Sequence, residues 1–180
     1  MPISDEHIVF ACFEASRLSK LAKVIIMTTL ATTKPLVPAF RPLQDALTPY
    51  ADLATRAATG LFLMPHGAQK LFGAFGGYGL EATGQFFAAK LGMPASMALV
   101  VGLIEFFGGL ALATGLLTRI AAGAITVMMA VAILQVHLAN GFFWTSGGFE
   151  YPLLWGILAL TYVVKGGGRF SLDAAIGTEI

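Results

Sequence analysis

The sequence predicts an all-α, polytopic membrane protein: a four-helix bundle with both termini on the cytoplasmic side. Three observations predict it. Of 180 residues, 57% are hydrophobic and only 12% are charged, about half the ~25% typical of soluble domains. From Leu53 onward, apolar runs follow one another, most of them near the ~20 residues that a spanning helix needs. The Lys and Arg residues fall mainly at one set of alternate ends of those runs, the asymmetry that orients membrane helices. No alternating ten-residue segments suggest a β-barrel instead.

Residues 1–52 precede the bundle and read as a partly disordered cytoplasmic tail. They carry Pro2, Pro35, Pro38, Pro42 and Pro49, and the basic residues Arg17, Lys20, Lys23, Lys34 and Arg41. The apolar stretch Val24 to Leu30 is too short to span a bilayer and lacks a convincing cleavage site for a secretory signal. It reads as an amphipathic patch. A start at Met27 is an alternative that would leave residues 1–26 untranslated, and an intact mass decides between the two.

The first span runs from about Leu53 to Phe72, interrupted by Pro65, His66 and Lys70. Gly76, Gly77 and Gly79 then break the chain, and Leu80 to Leu91 forms a short interfacial helix carrying Phe86 and Phe87. The second span covers about Ala95 to Leu117 with one charge, Glu105; the third covers Ile120 to Phe143 with one ionisable residue, His137. The fourth, Phe149 to Val164, is short, and Lys165 must snorkel for it to cross. Short connections favour an up-and-down bundle, and the transmembrane domain extends over residues 53–175. With the N-terminus inside, Arg56, Arg119, Lys165 and Arg169 collect on the cytoplasmic side. Lys70 and Lys90 lie outside, where Phe142, Phe143 and Trp144 form an aromatic belt.

Composition also narrows function. A net charge of +1 gives no sign of a nucleic-acid partner. The single cysteine, Cys12, allows neither an intramolecular disulfide nor a dithiol pair, and no Cys/His spacing suggests a metal site. The chemistry rests on ionisable residues inside the spans, because each charge in hydrocarbon costs at least about 2.5–3.5 kcal/mol.

Glu105 is the sharpest of these. Gly102, Gly108 and Gly109 lie three and four residues away and let another helix come close, so Glu105 points into the bundle. His66 and Lys70 are four apart on the first span, with Gln69 alongside, and Pro65 kinks the helix beside them. His66, Lys70, Glu105 and His137 all fall in the outer half of the membrane. A cluster of Glu105 with His66 or Lys70 could bind a polar headgroup, relay protons, or hold helices together as a structural ion pair. Haem ligation by His66 and His137 is disfavoured by their different depths. Arg56 and Arg119 read as cytoplasmic anchors, and Ser171 with Asp173 as a helix N-cap.

The string Arg56-Ala-Ala-Thr-Gly60-Leu-Phe-Leu-Met-Pro-His66-Gly67-Ala-Gln-Lys70-Leu-Phe resembles the first span of the DoxX family. Glu105-Phe-Phe-Gly108-Gly109 and Gly115-Leu-Leu-Thr-Arg119 resemble its second span and the following turn. His137, Tyr151-Pro152 and Gly166-Gly-Gly-Arg169-Phe-Ser-Leu-Asp173 match the later pattern, with Gly167 where the family often has proline. The resemblance covers about Leu53 to Ala175 and leaves the N-terminal tail outside.

It implies a four-helix protein of the bacterial inner membrane. The family takes its name from a subunit of thiosulfate:quinone oxidoreductase, and some members are linked to oxidative or thiol stress. The expected function is therefore support of redox chemistry, with quinone as the candidate ligand of an outer-half pocket. Glu105 or His66 would exchange protons there; Lys70, with His137 and Gln69, would bind. The chain shows no haem-attachment motif, flavin fingerprint or iron–sulfur cysteines, so electrons would come from a redox partner subunit. The rival reading is a non-catalytic scaffold or assembly subunit. A small-solute or proton transporter is a third, and without a visible repeat it calls for a homo-oligomer.

Overall fold

A computed structural model of the chain describes residues 36–178. The tail up to residue 35, with Cys12, the Val24–Leu30 patch and the alternative start at Met27, lies outside the described residues. The chain divides into two compact units, one ending at Gln44 and the other beginning at Asp45. The described part of the first holds a 3-10 turn, Pro38–Phe40, and the opening of a helix. The described residues are helical, without strand.

Helix α1 is Arg41–Leu61 and α2 is Met64–Phe72. α1 starts well before Leu53, where the sequence places the first span. The sequence also places a kink at Pro65, whereas the break lies just upstream, at Phe62–Leu63. Proline has no N–H to donate to the carbonyl four residues earlier, so the helix stops there. It restarts with Pro65 in its first turn, where a missing donor costs nothing. Gly73, at φ 68°, closes α2 in the left-handed region.

Helix α3, Gly79–Leu91, matches the expected interfacial helix within a residue. Helices α4 (Met97–Leu103) and α5 (Gly109–Thr114) form one continuous rod through a π-helical turn at Ile104–Gly108. α6 is Thr118–Ala132 and continues through a second π turn, Ile133–His137, and a 3-10 turn, Leu138–Asn140. α7 is Glu150–Lys165 and α8 is Leu172–Ile176.

Two of these rods, Met97–Thr114 and Thr118–Asn140, are long and apolar enough to cross a membrane. Only 33% and 28% of their apolar windows are buried inside the fold, unlike the core helix of a soluble protein. Val127, Leu134, Ile157 and Val164 are among the large apolar side chains left exposed. The buried core is small: Leu63, Leu112, Ile125, Met128, Met129 and Tyr162, with Ala121, Ala122 and Ala159 allowing α6 to pack along α7. Trp155 on α7 donates its indole N–H to the Thr59 carbonyl at 3.0 Å, tying the last long helix to α1.

Candidate functional site

α2 meets the α4–α5 rod at its π turn. The approach is close because Gly67 has no side chain. A Cβ there would stand 2.5 Å from the Phe106 nitrogen and 2.8 Å from the Gly102 carbonyl oxygen. One turn further along α2, Lys70 reaches Glu105: its Nζ lies 2.8 Å from Oε1 and 2.7 Å from Oε2. Glu105 is buried and Lys70 half-buried, their side chains 10% and 24% exposed. The ammonium also lies 3.5 Å from the His66 carbonyl oxygen.

Glu105 sits inside the π turn, as expected of a charge that must face protein rather than lipid. The extra residue in that turn changes which way the neighbouring glycines point. Gly102 and Gly109 face α2 and the end of α1, against Leu71 and Gly60, while Gly108 faces Ile125 on α6. Aromatic rings flank the pair. Phe106 packs edge-on to Phe72, with centroids 5.5 Å apart, and to Phe107, at 5.0 Å.

The other candidate residues have different partners. The Gln69 side-chain amide donates to the Phe75 carbonyl at 3.4 Å, beside a turn in which Phe75 adopts a left-handed φ of 53°. The His66 side chain is exposed. His137 ends the second π turn, and its Nδ1 lies 2.7 Å from the Gly147 carbonyl oxygen. A carbonyl only accepts, so Nδ1 carries the proton and Nε2 is the acceptor of the neutral ring. Asn140 donates to the same carbonyl at 3.2 Å. His137 thus clamps the loop that carries Phe142, Phe143 and Trp144.

A second polar cluster forms where α1, α5, α6 and the C-terminal turn converge. Arg56, read from sequence as an anchor, is 1% exposed. Its Nη1 donates to the carbonyls of Leu112 and Ala113, both at 2.8 Å, and its Nη2 to Phe170 at 2.5 Å. It caps the end of α5, adding to the Gly115 N–H that the Leu112 carbonyl already accepts at 3.2 Å. Ser171 is an N-cap as expected, accepting from the Ala174 N–H at 3.1 Å.

Asp173 does more than the expected cap. Its carboxylate accepts from the Leu117 and Thr118 N–H groups at 2.7 and 2.9 Å and from the Thr118 hydroxyl at 2.6 Å. It therefore caps the N-terminus of α6 from 55 residues away. Burial pushes its pKa up, but these hydrogen bonds and the nearby Arg56 charge outweigh burial and leave it below its ordinary value. The sequence does not announce these roles of Arg56 and Asp173 because their partners lie 56 and 55 residues away along the chain.

A family model described as DoxX matches residues 51–138. A Bacillus subtilis (strain 168) protein named "Putative oxidoreductase CatD" is 34% identical over 118 residues, covering 66% of this chain and 80% of that protein. An uncharacterized Haemophilus influenzae protein is 42% identical over 80 residues, 43% of this chain and 60% of the relative. A second from the same organism is 32% identical over 62 residues, 34% of this chain and 41% of the relative. The match thus spans less than two thirds of either Haemophilus protein. No solved structure matches the chain.

Proposed function

The chain belongs to the DoxX family, and from that premise we propose a multi-pass protein of the bacterial inner membrane that supports redox chemistry at the Lys70–Glu105 pair. Four crossings make up the bundle: α1–α2 from about Leu53, the α4–α5 rod, α6 with its π extension, and α7. Both termini lie in the cytoplasm. The observation that carries the reading is an ion pair inside the apolar bundle, on a π turn. π turns inside α-helices are frequent at functional sites, and intramembrane ionisable residues mark ligand or proton sites. The oxidoreductase name of the Bacillus relative points the same way.

The residues present fit a quinone headgroup. Lys70 offers N–H donors for a carbonyl oxygen, Glu105 a carboxylate beside it, and Phe72 and Phe106 flat apolar surface. A bound quinone would supply an acceptor of two electrons and two protons. Lys70 would hold the ring oxygen and stabilise negative charge there. Glu105 would move a proton at its carboxylate, with His66 as a relay towards the surface. Electrons come from a partner subunit in this reading. The test is mass spectrometry of a solvent extract from detergent-purified protein, wild type beside Glu105→Gln. Stoichiometric quinone in the wild type, lost in a still-folded variant, supports the reading; quinone-free wild type overturns it.

A second reading is a non-catalytic scaffold. The observation favouring it is that Lys70 satisfies both Glu105 oxygens, as a structural pair would. It predicts that Glu105→Gln impairs folding or assembly while no ligand is lost.

A further inference from the structure

The apolar rods carry few polar side chains, and most of these are satisfied inside the chain. Thr114 and Thr126 donate to carbonyls four residues back, at 2.9 and 2.8 Å, and Thr161 does so at 3.0 Å. Glu105 holds Lys70, and His137 and Asn140 share the Gly147 carbonyl. Gln135 differs. It sits in the second π turn, Ile133–His137, with its side chain exposed, and its carboxamide makes no hydrogen bond among the described residues.

Its depth makes that costly. Met129 is the middle of the Thr118–Asn140 rod, and Gln135 lies about 9 Å further along the axis. Hydrocarbon extends about 15 Å to either side of the bilayer centre, so the amide would face lipid tails that offer it no partner. Around it the same rod turns an apolar side outward. Ile120, Val127 and Leu134 recur every seven residues and are each at least half exposed, the repeat of a helix-pairing seam. Val131 and Gln135 follow Val127 in steps of four, which keeps them on that side. The other side, with Ala121, Ala122 and Ile125, is buried in the core.

A carboxamide both donates and accepts, so a second copy of the same group satisfies it fully. Two chains inserted the same way and related by a two-fold axis along the membrane normal bring each residue near the axis opposite its own copy. A glutamine pair then closes two reciprocal hydrogen bonds. Charge does not oppose the approach, because residues 120–140 contain no Lys, Arg, Asp or Glu. We propose that the outward face of α6 and its π extension is the interface of a two-fold homodimer, with Gln135 bonded to Gln135 of the partner subunit. This rests on the membrane reading above and not on the quinone.

The full chain is taken to sedimentation equilibrium in a density-matched detergent, with helix content followed by circular dichroism. The wild type is expected to be a dimer. Gln135→Leu removes the amide without touching the core and should raise the dissociation constant about tenfold at unchanged helix content. Gln85→Leu, on α3, should change neither. In a Cys12→Ser background reconstituted in liposomes, oxidation should link Val131→Cys to its own copy but not Leu160→Cys, which is exposed on α7. That second measurement stands even where Gln135→Leu fails to fold. A monomeric wild type, an unaltered dissociation constant in Gln135→Leu, or linkage at Leu160→Cys alone overturns the proposal. A wild type that stays in solution without detergent overturns the membrane reading itself, whatever its quinone content.

Discussion

Lys70 Nζ touches both carboxylate oxygens of Glu105, at 2.8 and 2.7 Å, across the narrow contact between α2 and the π turn. Removing one member of a buried pair leaves the other without its counter-charge and costs about 3 kcal/mol. Replacing both with apolar residues of similar size removes two desolvation penalties together. Lys70→Met and Glu105→Leu should each lower the melting temperature in detergent, while the double variant recovers most of the loss. Additive losses in the double variant would show that the two side chains do not act as a pair.

The close approach at Gly67 is a second target. Its substitution by alanine drives a methyl into the Phe106 nitrogen and the Gly102 carbonyl, both backbone. Overpacking of this kind costs about 1–3 kcal/mol. Gly123→Ala, on α6, meets nothing within 4 Å and gains helix propensity. Chemical denaturation should therefore destabilise the first variant and leave the second unchanged or slightly more stable.

Arg56→Lys keeps the charge but loses the planar fork that reaches Leu112, Ala113 and Phe170 together. The expected cost is about 2 kcal/mol, with faster amide exchange in the last turn of α5 and around Phe170. Exchange confined to the α1 side would contradict the capping role.

Asp173 carries a pH signature. Its folded pKa lies below its ordinary value of 3.8. The stabilisation is therefore fully present above that value and is lost as pH falls through the lower folded pKa. Asp173→Asn should be less stable than wild type at neutral pH, by about 1–3 kcal/mol. It should also lose less stability on acidification below pH 3.8. Parallel acid melts of the two proteins would contradict the assignment.

Much of the α-helical order was legible because it depends on local composition. The apolar runs that place Met97–Thr114, Thr118–Asn140 and Glu150–Lys165 are long and barely interrupted, and the glycines around residues 76–79 mark the start of α3. A pairing of Glu105 with Lys70 was one of two foreseen, because two opposite charges in apolar segments at similar depth have few other partners. What stayed hidden depends on remote contacts. A π turn adds a residue without altering the apolar pattern, so the redirected glycines around Glu105 could not be foreseen. Nothing near Arg56 in sequence announces the carbonyls of residues 112, 113 and 170, and a basic residue at a span end ordinarily faces water. His137 illustrates the same limit: its partner, Gly147, is presented by a loop whose fold the sequence does not declare.

The most direct test of the central claim is the quinone content of detergent-purified protein, counted per chain, for wild type and for the Lys70→Met/Glu105→Leu double variant. The double variant is chosen because it is expected to stay folded where single ones are strained. About one quinone per wild-type chain and none in a double variant of near-wild-type melting temperature is the predicted result. Equal quinone in both, or none in a stable wild type, would contradict a ligand site at the Lys70–Glu105 pair.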